Sequence, residues 1–225
     1  QGEWHNDWNS SNRPVYWGIN ESNYIEVEGI EYAIIDGEAV VSRFVGNNTE
    51  VIIPSTIEIN GTTYNVTSIG SYAFEGYSSL TSIIIPESVT YIGSYVFYNC
   101  SSLISIVIPK GVTSIGSSAF YNCSSLTSIV IPESVTSIGE GAFYGCSSLT
   151  SIVIPESVTI IGERAFYNCS SLTSIVIPKS VKSIGYGVFS GCSSLTIYCE
   201  ASSRPSGWDS SWNNDNRPVY WGYGK

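Results

Sequence analysis

The sequence predicts an α/β repeat protein, mostly β, whose coils stack into a right-handed solenoid with short helical turns. Three columns of residues carry this prediction, because each recurs every 23 residues along most of the chain. They are the phenylalanines Phe74, Phe97, Phe120, Phe143, Phe166 and Phe189, the glycines Gly70, Gly93, Gly116, Gly139, Gly162 and Gly185, and the leucines Leu80, Leu103, Leu126, Leu149, Leu172 and Leu195. A fixed period of roughly 20 to 50 residues is typical of repeat proteins, in which each unit packs only on its neighbours.

The repeat unit is seen most fully in SLTSIVIPESVTSIGEGAFYGCS, residues 125–147. Ile129 and Ile131 stand two residues apart, so both side chains point to the inner side of a short strand. Pro132 ends that strand because it has no N–H to donate, and Gly139 is expected to allow a sharp turn. Three further residues predict a helical turn that closes the coil: Ala142, Phe143 and Cys146.

The two ends of the chain carry related tryptophan-rich segments. All six tryptophans lie in WHNDWNSSNRPVYWG, residues 4–18, and WDSSWNNDNRPVYWG, residues 208–222. A solenoid must cover its last coil, so residues 200–225 are predicted to form a C-terminal cap. Residues 1–20 are interpreted as the leftover cap of a preceding array, which suggests a slice of a longer protein with further domains.

The segment between these ends is predicted to have two parts. Residues 21–50 are expected to form an N-terminal β-hairpin cap, because β-rich runs flank Asp36-Gly37. Residues 51–199 are expected to form the solenoid, with a divergent first repeat, five full repeats and a truncated last one. Asn60-Gly61 lies among extra residues of the first repeat and suggests a protruding turn.

The pattern LxxIxIPxxVxxIGxxAFxxC resembles the BspA-like leucine-rich repeat family. The resemblance covers roughly residues 51–199 and implies a leucine-rich-repeat solenoid. It also implies a secreted or cell-surface protein, often an adhesin that binds host matrix proteins and sometimes a module beside glycan-degrading domains. The chain lacks the Asn that follows the strand in better-known leucine-rich repeats, so their ligand-binding modes are not carried over.

Composition excludes several classes of function. A net charge of −10 repels nucleic acid and anionic lipid, and no apolar run approaches the roughly 18 residues of a membrane span. No signal peptide is visible. His5 is the single histidine, and no nucleophile, base and orienting group can be combined into a catalytic set. The sequence therefore predicts a protein that is not an enzyme and has no cofactor.

A column of cysteines is interpreted as small buried residues of the core. Its members are Cys100, Cys123, Cys146, Cys169 and Cys192. A metal site is not expected, because its ligands must converge and these run along a line. Cys199 breaks the period, and a disulfide with Cys192 is a second possibility for this residue.

Aromatic residues are the candidate ligand-binding side chains. One tyrosine follows the core phenylalanine in four coils, which predicts an outward stripe of Tyr98, Tyr121, Tyr144 and Tyr167. The stripe is either a self-stacked structural ladder or a platform for sugars or a protein. The tryptophans Trp208, Trp212 and Trp221 either pack within the cap or form an exposed binding surface.

The predicted function is a non-catalytic, adhesin-like recognition module outside the cell, secreted or attached to its surface. Its expected partner is a host or matrix protein or another extended surface ligand. A carbohydrate-binding module that recognises a polysaccharide through surface aromatics is one alternative, and a structural spacer is another. The outward strand face, with Ser128 and Val130 in one coil, is uncharged and mildly apolar; it either holds an extended polymer or is an ordinary sheet surface.

Overall fold

The computed structural model of the chain describes residues 24–224. The leftover cap predicted for residues 1–20 lies outside the described residues. Strands alone make up the regular structure of the described part. The N-terminal strands are β1 (Tyr24–Val27), β2 (Ile30–Ile35) and β3 (Glu38–Phe44). The first repeat contributes β4 (Glu50–Ile52), β5 (Thr56–Ile59) and β6 (Thr62–Ile69).

The later repeats contribute short strands in two rows. One row holds β7 (Ser82–Ile84), β9 (Ser105–Val107), β11 (Ser128–Val130) and β14 (Ser174–Ile177). The other holds β8 (Tyr91–Ile92), β10 (Ser114–Ile115), β12 (Ser137–Ile138), β13 (Ile160–Ile161) and β15 (Ser183–Ile184). The chain ends with β16 (Thr196–Cys199) and β17 (Val219–Trp221).

The predicted hairpin at Asp36-Gly37 is confirmed. β2 and β3 pair antiparallel, and Asp36 and Gly37 adopt left-handed φ values of 52° and 80°, as a tight two-residue hairpin turn requires. β3 then pairs in parallel with β6, and the ring of Phe44 stacks on Phe74 with 5.5 Å between centroids. The hairpin therefore packs against the first coil of the stack.

The predicted protruding turn of the first repeat is also confirmed. β5 and β6 form an antiparallel hairpin around Asn60 and Gly61, whose φ values are 50° and 78°. Open space surrounds Gly61, since an added Cβ would meet nothing within 4 Å. The nine or so extra residues of this repeat thus leave the stack and return to it.

Parallel ladders join the coils in register. β4, β7, β9 and β11 form one parallel sheet, in which Ile52 pairs with Ile84 and Val107 with Val130. β10, β12, β13 and β15 form a second sheet on another side of each coil. Residues 151–154 stand at the same point of the repeat as β11 but form no strand, which separates the first sheet from the β14–β16–β17 sheet.

The core is a set of continuous columns that run through all the coils. The six repeat phenylalanines are fully buried, and neighbouring rings stack with 5.3–5.8 Å between centroids. The repeat leucines and the inward isoleucines of the strands, such as Ile129, are buried in the same core. Since every coil contributes the same buried side chains at the same position, the repeating sequence produces a core that repeats from coil to coil.

The prediction of short helical turns is wrong, because the residues around each phenylalanine form a ladder of turns. Phe143 N donates to Ala165 O of the next coil at 2.8 Å, whereas Tyr144 N donates to Gly141 O of its own turn at 3.0 Å. Gly141 and Gly145 have left-handed φ values of 58° and 70°. A helix needs right-handed residues throughout and hydrogen bonds only within itself, so these alternating residues exclude one.

The C-terminal segment covers the last coil. β16 pairs in parallel with β14 and β17. Trp208 and Trp212 are only 3% and 5% exposed, and the Trp212 ring meets Phe189 edge-on with 5.9 Å between centroids. Trp208 Nε1 donates to Val181 O at 3.2 Å. These two tryptophans pack within the cap, which is one of the two roles considered for them.

Candidate functional site

The four predicted surface tyrosines form one stack. Adjacent rings of Tyr98, Tyr121, Tyr144 and Tyr167 lie 4.7, 4.3 and 4.6 Å apart and within 17° of parallel. Each ring is half-buried, and the faces of the inner rings are covered by their neighbours. The stack therefore offers its ring edges and hydroxyls to a ligand, because the faces of its inner rings are not free for stacking.

The same turn contains a second column of residues that was not predicted from the sequence. It lies two residues before each phenylalanine, and all of its members have a left-handed φ between 51° and 64°. They are Tyr72, Tyr95, Ser118, Gly141, Arg164 and Gly187. The signal was present, because this column changes from coil to coil while most of the repeat stays constant.

The change of side chain along this second column opens a groove. In the first two coils Tyr72 and Tyr95 stack with 4.9 Å between centroids, and their rings fill the space beside the turn. Ser118 and Gly141 follow, and they leave that space empty. A Cβ added to Gly141 would lie 3.3 Å from Ser118 Oγ and 3.8 Å from the ring of Tyr121. The groove begins where the large side chains stop.

This tyrosine-edge groove has a volume of about 730 Å³ and is open to solvent. Tyrosine edges, small residues, charged residues and the cap all contribute to its lining. The lining residues are Ser118, Tyr121, Glu140, Gly141, Tyr144, Arg164, Tyr167, Tyr186, Ser190, Gly191, Asn214 and Asp215. It brings together three of the predicted site residues, Tyr121, Tyr144 and Tyr167, and leaves out Tyr98 and the three tryptophans.

Two charged groups of the groove already have partners within the protein. The Arg164 guanidinium lies over the Tyr186 ring, 5.4 Å from its centroid, at a distance that permits a cation–π interaction. The Asp215 carboxylate accepts hydrogen bonds from Gly191 N at 2.7 Å and from Arg217 Nη2 at 3.0 Å. The Gly191 amide, followed by Arg217, lowers the pKa of Asp215, so this residue stays a carboxylate at neutral pH.

The Tyr121 hydroxyl is a neutral hydrogen-bond donor in the groove. Burial, followed by the neighbouring hydroxyls of Tyr144 and Tyr98, raises the pKa of Tyr121 above its usual value near 10. A phenol with a raised pKa keeps its proton at physiological pH. The stack thus presents hydroxyl groups that both donate and accept hydrogen bonds.

The repeat pattern identifies the family. A profile described as BspA type leucine rich repeat region matches residues 67–196 in six copies. The chain belongs to this family. The resemblance to BspA-like proteins that the repeat motif predicted is confirmed, and so is the mostly β solenoid.

Three solved structures are similar to this BspA-type chain. A leucine-rich repeat protein from Bacteroides ovatus is 39% identical, with a TM-score of 0.73 over 77% of this chain and 46% of its own. A T. pallidum leucine-rich repeat protein is 34% identical, with a TM-score of 0.71 over 77% of this chain and 80% of its own. A leucine-rich cell surface protein from Faecalibacterium prausnitzii is 34% identical, with a TM-score of 0.67 over 81% of this chain and 56% of its own.

The chain spans about half the length of the first and third of these proteins, 46% and 56%. No curated protein matches it. The comparisons therefore place the chain in a family and a fold, and the ligand has to be argued from its own surfaces.

The cysteine column of this BspA-type repeat is structural. All six cysteines are free and buried, so the disulfide considered between Cys192 and Cys199 is wrong. In each coil the thiol donates to the phenylalanine carbonyl of the preceding coil, as Cys146 Sγ does to Phe120 O at 3.2 Å. Burial raises the pKa of both Cys100 and Cys199 to about 12, and a thiol with such a pKa is a poor nucleophile.

A second surface lies on the outward side of the row of coils that contains β7, β9, β11 and β14. We call it the apolar stripe, and its members are Ile52, Ile84, Val107, Val130, Val153 and Val176. Each is between 37% and 78% exposed. The stripe continues into the cap, where Tyr198 pairs in register with both Val176 and Tyr220. Trp221 is 37% exposed, but it pairs with the buried Cys199 and its ring contacts Trp208 and Trp212, so it lies on the other side of the strand.

Neither a metal site nor a membrane-spanning helix is found in residues 24–224. Within that range no three His, Cys, Asp or Glu side chains are grouped so that they could hold a metal ion. The same range contains no helix with the length and apolar character needed to cross a membrane.

Proposed function

We propose that the chain is a non-catalytic, adhesin-like recognition module that binds a protein through the apolar stripe. The observation that carries the proposal is a row of aliphatic side chains that are exposed at the same position of successive coils, with Val153 78% exposed. Soluble proteins seldom keep a contiguous apolar surface of this kind, and larger patches mark interaction sites. A structural spacer has no need of such a row.

The chemistry of the stripe favours a protein partner. Coils joined by strand pairing are about 4.8 Å apart, so six coils give a row about 24 Å long. Isoleucine and valine are stiff at χ1, and they lose little rotamer freedom when a partner covers them. Serines such as Ser128 flank the row, so a partner would release water from apolar surface without burying charge.

The cap supplies the aromatic end of this proposed interface. Tyr198 and Tyr220 stack with 5.4 Å between ring centroids, and Tyr220 is 58% exposed. Tyrosine is enriched among residues that dominate binding energy. Tyr220 is therefore the cap residue that we propose for binding, whereas the predicted tryptophans Trp208, Trp212 and Trp221 contact one another and are assigned to packing.

We place the module at the cell surface or outside the cell. The support is the family and one similar protein, 34% identical, that is named as a leucine-rich cell surface protein. The parent protein would then carry the module toward a host or matrix protein, which is the partner class that the resemblance implies.

The test is binding to a panel of purified extracellular-matrix proteins, with an unrelated solenoid as the reference. The double variant Val130→Thr with Val153→Thr keeps side-chain shape and strand preference but replaces two methyl groups by hydroxyls. We expect at least about a tenfold loss of affinity, or about 1.4 kcal/mol. The matched control is Ile160→Thr, since Ile160 is 49% exposed on the other sheet. Binding no stronger than that of the reference solenoid, or an equal loss in the control, would reject the proposal.

A further inference from the structure

The tyrosine-edge groove is separate from the apolar stripe and has its own chemistry. It exists because the second turn column shrinks from Tyr95 to Ser118 and Gly141. The cap closes its other end with Asn214 and Asp215. Most other positions of the repeat are nearly invariant from coil to coil, so the groove is formed by one of the few columns that vary.

The groove is poorly suited to an extended peptide. Peptides that add to a sheet need free backbone amides and carbonyls, and here the amides are already used. Ser118 N and Gly141 N donate to carbonyls of the following coils, and Tyr144 N donates within its own turn. The lining contains no aliphatic side chain, so apolar peptide side chains would find no pocket.

The charge of the groove favours a neutral ligand. Glu140 and Arg164 are both exposed and carry opposite charges. Asp215 is already paired with Arg217 at 3.0 Å. Neither sign dominates the lining, and the net charge of −10 repels polyanions at longer range.

What the groove offers is a dense set of neutral hydrogen-bonding groups beside aromatic carbon. Three stacked phenols and the Ser118 hydroxyl line it, and Tyr186, 40% exposed, adds a ring outside the stack. Ser190 and Asn214 also line it, but the Ser190 hydroxyl donates to Asn214 Oδ1, which leaves the Asn214 amide nitrogen as a donor. The lining extends over four coils, which are about 14 Å long at strand spacing. These are the features that recognise a chain of polyhydroxylated rings.

We propose that the tyrosine-edge groove binds a neutral, linear polysaccharide. The ring edges of Tyr121, Tyr144 and Tyr167 contact the chain, and the hydroxyls of Ser118 and of the phenols bond its hydroxyl groups, while the polymer continues through the side of the groove that is open to solvent. The module then has two ligands on two faces: a protein on the apolar stripe and a glycan in the groove.

The most specific test fills the groove with a tyrosine, the side chain that the same column already holds in the first two coils. Tyr72 and Tyr95 hold the same column position with φ values of 64° and 58°, so Ser118→Tyr, at φ 52°, extends an existing stack. Affinity electrophoresis of the whole chain through hydroxyethylcellulose, glucomannan, arabinoxylan and dextran is the measurement, with alginate as the charged counterpart. We expect retardation by at least one neutral polymer and a loss of about tenfold or more in its affinity in the filled variant.

Two further variants test whether a loss of glycan binding is specific to the groove. Tyr186→Ala leaves the groove open but removes the ring outside the stack, and we expect it to weaken binding of the same polymer severalfold. Val153→Thr changes the apolar stripe and should leave glycan binding unchanged, just as Ser118→Tyr should leave protein binding unchanged. Thermal unfolding shows that each variant is folded.

Three outcomes would overturn the proposal. They are no retardation by any neutral polymer, equal retardation of the wild type and of Ser118→Tyr, and stronger retardation by alginate than by every neutral polymer. Loss of protein binding in Ser118→Tyr would reassign the groove to a protein partner and also reject the glycan. Because the apolar stripe is tested on a different ligand with different variants, either proposal can fail while the other stands.

Discussion

The repeat glycine shows at the scale of one residue how the coils approach each other. A Cβ added to Gly139 would lie 2.7 Å from Ser117 N and 2.8 Å from Gly116 C of the preceding coil. These atoms are backbone and cannot move aside. The sequence suggested that glycine serves a sharp turn, but its structural reason is a close backbone approach, which is a property of two coils and not of one.

The buried thiols predict how stability depends on pH. The pKa of Cys100 and of Cys199 is raised to about 12 by burial, and in the unfolded chain a thiol has a pKa of about 8.5. A raised folded pKa contributes stability that is complete below the unfolded value and is lost as pH rises toward the folded value. The free energy of unfolding should therefore fall steadily above a pH of about 9.

Urea unfolding at a series of pH values from 7 to 11 measures this dependence. The double variant Cys100→Ala with Cys199→Ala should be less stable at pH 7 but should lose less stability per pH unit above about 9. Equal slopes for the variant and the wild type would contradict the assignment of the slope to these thiols.

At the scale of one element, the C-terminal cap acts as the last layer of the core. Trp212 covers Phe189 edge-on, and Gly187 N donates to Ser211 O at 3.0 Å. The Asp215 carboxylate accepts a hydrogen bond from the Gly191 amide at the point where earlier coils use a backbone carbonyl of the next coil. The cap thus continues both the apolar columns and the hydrogen-bond ladder with groups that differ from those of the repeat.

Removing the cap tryptophan should loosen the C-terminal coils first. Trp212→Ala takes away a nearly buried ring, so we expect the free energy of unfolding to fall by about 3–5 kcal/mol. Trp221→Ala is the control and should cost less, because Trp221 is 37% exposed. Chemical denaturation measures the loss. Hydrogen exchange should show faster opening near Phe189 than near Phe74, and uniform loss of protection along the stack would contradict this prediction.

At the scale of the whole molecule, the solenoid is a sum of similar coils and the contacts between neighbours. Deleting residues 125–147 removes one complete 23-residue unit and joins Ser124 to Ser148 in the original frame. We expect a folded but less stable protein that small-angle scattering finds shorter by about 4.8 Å.

A deletion out of frame is the control for that experiment. Removing residues 125–136 takes about half a unit and brings a strand of one coil against a turn of the next. We expect this variant to lose cooperative unfolding, which circular dichroism during heating measures. Equal behaviour of the two deletions would mean that register does not determine the fold.

How far the sequence predicted each part depends on the range of the interactions involved. The two hairpin turns, at Asp36-Gly37 and Asn60-Gly61, were predictable because dipeptides of this kind favour left-handed φ by themselves. The phenylalanine turn was assigned wrongly to a helix. Its left-handed positions hold residues such as Tyr95 and Arg164, which carry no turn signal of their own.

How far the candidate surfaces could be predicted also depends on the range of the interactions that form them. The sequence placed Tyr121, Tyr144 and Tyr167 on the outside, since they alternate with buried neighbours. It did not show that their rings cover one another or that Ser118 and Gly141 open a groove beside them.

The period, the family, the two hairpins and the columns of buried side chains could be predicted from the amino-acid sequence, because each follows from the identity and spacing of neighbouring residues. The tertiary structure alone decided the ladder of turns, the reason for the repeat glycine, the free thiols, the face-to-face tyrosine stack and the groove. These depend on how the backbone of one coil meets that of the next, at distances of a few ångströms that no single repeat encodes.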